Sequence, residues 1–99
     1  MELRFDTAAR QELDAAHQWY EAQQPGLGFR YVREVENCSR LILRFPLAAP
    51  EIASGIRRVI VPRFPYGLLY RVHGETVYVL AVMHFHRHPG YWQGREPTM

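Results

Sequence analysis

The chain has no lysine: all 12 of its Lys and Arg positions are arginine. That excludes mechanisms built on a deprotonatable amine and leaves planar, permanently charged side chains suited to bidentate contact with carboxylate or phosphate. Genomic base composition is a simple alternative source of the bias. Cysteine is nearly absent as well. Cys38 has no partner for an internal disulfide, and its place in a helical stretch reads as a packed thiol in a reducing, cytoplasmic setting rather than a nucleophile. The longest uncharged apolar run, near residues 76–83, falls far short of the roughly 20 residues of a membrane span, and no charged-then-apolar leader opens the chain. The expectation is a cytoplasmic protein with no membrane partner. Repeats and low-complexity segments are also missing, and the formal charge of +2 argues against avid binding to free nucleic acid. What remains is ordinary globular composition, 47% apolar and 22% charged in 99 residues, enough for one domain over 1–99 with its own core.

Periodicity supplies the elements. "ELRF" (2–5) alternates as a short strand, and Asp6-Thr7 offers the cap of a following helix. From Ala8 to Gln24 there is neither Gly nor Pro, and Ala9, Leu13, Ala16 and Tyr20 share a stripe with Trp19 beside it. His17 in that stripe reads as a half-buried residue at the core edge. "QQPGLG" (23–28) reverses the chain. A second helix, about Leu27 to Phe45, carries Tyr31, Val35, Cys38, Ile42 and Phe45 on one face and charges on the other. "FPLAAPEIASG" (45–55) reads as an irregular connection. "IRRVIV" (56–61), "YGLLYRV" (66–72) and "TVYVLAVMHF" (76–85) read as strands, the last two joined through "HGE". The last is apolar at both parities, the mark of a central strand covered on both faces. The order β-α-α-β-β-β predicts an α+β fold: a two-helix hairpin packed on one face of a four-stranded, mainly antiparallel sheet.

Chemistry-bearing residues collect in "MHFHRHPGYWQGR" (83–95). A strand continuing through residue 88 would align His84, His86 and His88 as alternate metal ligands. Pro89 ends regular pairing there, no carboxylate or thiol offers a fourth ligand, and Cys38 lies in the other layer, so neither metal nor cofactor is expected. Arg57 and Arg58 point to opposite faces of their strand, so at most one makes a direct functional contact. An ion pair with Glu75 is the plain alternative for Arg71.

"ARQELDAAHQWY" (9–20), "PGLG" (25–28), "PLAAP" (46–50), "IRRVIVPRFPYGLLYRV" (56–72) and the closing His-x-x-Arg-x-Pro-x-Tyr-Trp pattern, in this order, resemble the RelE/ParE superfamily of type II toxin–antitoxin toxins, often labelled plasmid stabilisation proteins. The resemblance implies two functional classes. RelE-like members cut messenger RNA in the ribosome, whereas ParE-like members poison DNA gyrase, and a cognate antitoxin neutralises both. Matched to the nucleases, Gly67 and Ile60 stand where they carry an arginine and a lysine, and Phe85 where an arginine is expected, unless Arg87 serves after a shift of two. Arg58 and Tyr91 match directly. A rebuilt nuclease would gather Arg58, Arg71, Arg87 and one of His84 or His86 on the helix-free face, with Tyr91.

The reading is therefore a growth-inhibiting toxin of the ParE-like branch that binds gyrase rather than turning over a substrate, neutralised by its antitoxin. The messenger endoribonuclease is one alternative, and a decayed toxin that only binds antitoxin is another. Arg58, Arg71, His84, Arg87, Tyr91 and Trp92 are the expected target- or antitoxin-binding residues, the last two either capping the sheet or meeting a partner. A homodimer and a heterotetramer with antitoxin both stay open.

Overall fold

The computed structural model describes residues 1–95. Residues 96–99, the end of the domain expected over 1–99, lie outside the described residues. Strand β1 (Glu2–Phe5) leads into helices α1 (Thr7–Gln23) and α2 (Leu27–Arg44), and strands β2 (Glu51–Ala53), β3 (Ile56–Ile60), β4 (Tyr66–His73) and β5 (Thr76–His84) follow. They form one sheet in the order β1-β5-β4-β3-β2. β1 runs parallel to β5 and every other pairing is antiparallel. The expected α+β class and helical hairpin hold, but the sheet has five strands rather than four. The extra strand, β2, comes out of the connection that had read as irregular. It is three residues long and wholly exposed, so it carries no alternation to be read.

Local chemistry sets the helix ends. The Asp6 carboxylate accepts the Ala8 N–H at 2.9 Å and caps α1. Gly26 at φ 88° then turns the chain into α2. The Glu21 carboxylate accepts the N–H groups of Gly26 (2.8 Å) and Gly28 (3.0 Å), placing a negative charge on the N-terminus of α2. Those bonds, led by the one from Gly26, hold its pKa below the ordinary value. Gly28 is required by closeness: a Cβ there would lie 2.6 Å from the His17 carbonyl oxygen and 2.8 Å from its ring.

The main core lies between helices and sheet. Ala9, Leu13 and Ala16 of α1 and Tyr31, Val35, Cys38 and Ile42 of α2 meet Leu68 and Tyr70 of β4 and Val77, Val79 and Val82 of β5. Burial pushes the Cys38 thiol up to about 11, so it packs as a neutral group and is no nucleophile. Trp19, expected beside the buried stripe, is instead 60% exposed.

A second, smaller core lies on the helix-free face, where Trp92 is 8% exposed against Ile56, Leu69, Leu80 and Ala81. This arrangement depends on a bulge. Leu69 pairs with Ala81 but Tyr70 pairs with Val79, leaving Leu80 unpaired. The bulge resets the alternation of β5, so Val77, Val79 and Val82 face the helices while Leu80 and Ala81 face Trp92. That is why both parities of this strand are apolar.

Candidate functional site

The C-terminal segment organises the site. β5 stops at His84, and the chain then advances by turns in which Arg87, Tyr91, Gln93 and Arg95 each donate a backbone N–H to the carbonyl three residues earlier. Gly90 (φ 82°) and Gly94 (φ 90°) supply the positive φ values. The wrap ends on Glu12 of α1, whose carboxylate accepts Arg95 Nη1 at 2.9 Å and the Val82 N–H at 3.0 Å. One carboxylate thus ties a helix, the central strand and the wrap together.

The wrap decides several expectations. Trp92, expected either to cap the sheet or to meet a partner, caps it as a core residue because the wrap returns its ring to the sheet. Phe85, read as the last residue of the strand over 76–85, is 46% exposed because β5 finishes one residue earlier. Trp92 thereby covers Ile56, Leu69, Leu80 and Ala81 on the helix-free face. His84, His86 and His88 form no ladder, since β5 ends at His84 and the other two lie beyond it. Among the described residues no cluster of three or more His, Cys, Asp or Glu side chains is placed to hold a metal.

On the helix-free face Arg58 and Arg87 border one groove with Ile52, Met83, Phe85 and Trp92, about 470 Å³ in volume. The groove is apolar in its floor and cationic on its rim. Arg58 reaches it by laying its methylenes over Gly67, where an added Cβ would meet them at 3.2 Å. The missing side chain at Gly67 is therefore what lets Arg58 extend. Arg57 points the other way, donating to the Ala49 carbonyl oxygen at 2.6 Å and pairing with Glu51 at 3.5 Å, so it holds the connection after α2.

Arg87 also borders a second cleft on the helix side, about 290 Å³ in volume, with Trp19, Tyr66, His84, Glu12 and Tyr91. His84 belongs to this side, contrary to the helix-free gathering expected of a rebuilt nuclease. Its ring stands edge-on to Tyr66 at 5.0 Å, and its Nδ1 accepts the His86 N–H at 3.0 Å, which places any neutral-form proton on Nε2. Tyr91 is clamped: the guanidiniums of Arg87 and Arg95 lie 4.0 and 4.8 Å from its ring centre. Its hydroxyl is buried, and burial with the adjacent Glu12 carboxylate pushes its pKa up. Arg71 is on the helix-free face, paired with Ile56 and Tyr78; Arg58 pairs with Leu69, two residues before Arg71 on β4, so the two arginines are diagonal cross-strand neighbours, with Cα atoms about 7–8 Å apart. Of the six expected residues, the structure brings together Arg58 and Arg87 at one groove and His84, Arg87 and Tyr91 at the other, sets Arg71 diagonally across from Arg58 on the helix-free face but outside the groove lining, and buries Trp92. Phe85, Ile52 and Trp19 are exposed lining residues that sequence patterning missed, because each interrupts the pattern its element suggests.

The structure is thus a two-layer sheet-and-hairpin protein whose helix-free face carries a groove bordered by Arg58 and Arg87. The chain belongs to the family described as "ParE toxin of type II toxin-antitoxin system, parDE", which it matches over residues 3–89. Its fold is similar to a solved structure described as the "Chromosomal ParDE TA system from P. aeruginosa", with a TM-score of 0.75 and 20% sequence identity over 85% of this chain and 95% of that one. A search of the curated proteins finds no match. No helix among the described residues is long and apolar enough to cross a membrane.

Proposed function

We propose that this ParE-family toxin acts in the cytoplasm by binding DNA gyrase through the groove rimmed by Arg58 and Arg87, and that a cognate antitoxin neutralises it. The observation that carries the reading is the state of Tyr91. A tyrosine that donates a proton to a leaving 5′-oxygen must present its hydroxyl to the substrate and lose the proton readily. Here the hydroxyl is buried beside a carboxylate, with its pKa raised. The electrostatic partners are also incomplete, since Gly67 and Ile60 bring no charge and His84 lies on the helix side, across the sheet from Arg58 and Arg71. A groove with exposed Phe85 and two arginines suits a protein partner, where arginine and aromatic anchors supply most of the affinity.

Antitoxin binding follows from family membership, and a toxin–antitoxin heterotetramer or a homodimer is part of the same proposal. Induced expression in a gyrase-dependent host tests the target. Filamentation with a DNA-damage response is the expected result, lost in Arg87→Glu and kept in Tyr91→Phe. Immediate translation arrest, with cleaved messages that Tyr91→Phe abolishes, would assign the messenger endoribonuclease instead. Expression without any growth defect would leave a decayed, antitoxin-binding chain.

A further inference from the structure

A separate cleft of about 450 Å³ opens on the helix side, between α2 and the loop joining β3 to β4, with Leu27, Arg30, Arg33 and Glu34 on one wall and Arg63 and Phe64 on the other. Three guanidiniums face it against one carboxylate. Four arginines elsewhere are matched to carboxylates, Arg4 to Glu2, Arg10 to Asp14, Arg57 to Glu51 and Arg95 to Glu12. Among the described residues Arg30, Arg33 and Arg63 have no such pairing.

The loop bears a second sign of specialisation. Arg63 sits at φ 71°, the one non-glycine residue with positive φ among those described. Glycine would take that backbone without strain, whereas here it carries the longest cationic side chain available. Prolines flank the loop, the Val61 N–H donates to the Tyr66 carbonyl, and Phe64 is fixed edge-on to Tyr20 and Tyr31 at 5.0 and 5.3 Å. The strained position is thus held by its surroundings and presents Arg63 opposite Arg30 and Arg33 on α2.

We infer that this cleft is the docking site of an acidic protein segment that places an apolar residue on Leu27 and Phe64 and carboxylates on Arg30, Arg33 and Arg63. Charge complementarity requires an acidic occupant. Nucleic acid fits less well: Glu34 interrupts any continuous phosphate track, and the net charge is only +2. The site lies on the opposite face from the groove of Arg58 and Arg87, so both can be filled at once. The inference is independent of the gyrase reading.

The test titrates the full-length, isotope-labelled chain by NMR with an 18-residue helical peptide in which one leucine is flanked by glutamates a turn away on each side. The same peptide with that leucine changed to serine and an 18-nucleotide oligothymidylate are the comparison probes. Binding is expected to shift signals at Leu27, Arg30, Arg33, Arg63 and Phe64. Each of Arg30→Ser, Arg33→Ser and Arg63→Ser should weaken it about threefold or more, and Arg10→Ser on α1 should not. Arg63→Gly separates binding from folding, because it should raise the melting temperature while weakening the peptide. Shifts mapping elsewhere, undiminished binding by the three variants, or tighter binding of the oligothymidylate at the same residues would each overturn the inference.

Discussion

Replacing Trp92 with alanine tests the C-terminal wrap at its most consequential contact. A buried aromatic of this size removes about 150–250 Å² from water, which at about 25 cal/mol per Å² corresponds to roughly 4–6 kcal/mol of transfer free energy. Trp92 is 8% exposed, so nearly all of that applies. Core Trp→Ala changes cost about 3–5 kcal/mol, because the cavity relaxes only in part. A domain of this length has about 5–15 kcal/mol to lose. Trp92→Ala should therefore unfold at a distinctly lower urea midpoint, by about 3 kcal/mol or more, with an unchanged slope if the transition stays two-state. The chain has only two tryptophans, and Trp19, 60% exposed, is the internal control. Trp19→Ala should stay within about 0.5 kcal/mol of the parent. Fluorescence distinguishes them as well, since the blue-shifted component should vanish with Trp92 and the solvent-exposed one with Trp19. A loss below about 1 kcal/mol for Trp92→Ala would refute the wrap and leave Trp92 available to a partner.

Other outcomes follow from single contacts. Gly28→Ala should cost about 1–3 kcal/mol in thermal or urea unfolding, because its Cβ would press on the backbone and ring of His17 and force the helices apart. Glu21 has a folded pKa below its ordinary 4.5, so the stability it contributes is full above that value and is lost as the pH falls through and below it. Glu21→Gln should flatten the acid limb of the stability profile and leave its basic limb unchanged. Cys38, with its thiol held near 11, should resist alkylation at pH 8 in the folded chain and react fully after denaturation; comparable rates in both states would place it at the surface. Tyr91→Phe should change stability by less than about 1 kcal/mol, since the buried hydroxyl makes no hydrogen bond of ordinary geometry to lose.

Much of the fold was legible because it rests on repeating local patterns. The stripe Ala9, Leu13, Ala16 and the series Tyr31, Val35, Cys38, Ile42 mark both helix faces, and "HGE" marks the β4–β5 hairpin. The illegible parts are tertiary. Three exposed residues become β2 only because β3 offers them an edge. Leu80 and Ala81 face the same side only because a bulge lets them, a feature no count of parity reveals. Trp92 follows a Pro-Gly break with no periodicity around it, so its burial depends on Arg95 reaching Glu12, 83 residues away. For the site, sequence spacing correctly separated Arg57 from Arg58 but had no means of placing His84 on the helix side.

The central claim, a toxin that binds rather than cuts, is tested most directly by adding the purified chain to purified DNA gyrase and supercoiled plasmid and scoring trapped cleavage complexes. The expected result is accumulation of linear DNA after protein digestion, abolished by Arg87→Glu and unchanged by Tyr91→Phe. No trapped complex at toxin excess, together with Tyr91-dependent cleavage of messages in a translating extract, would contradict it.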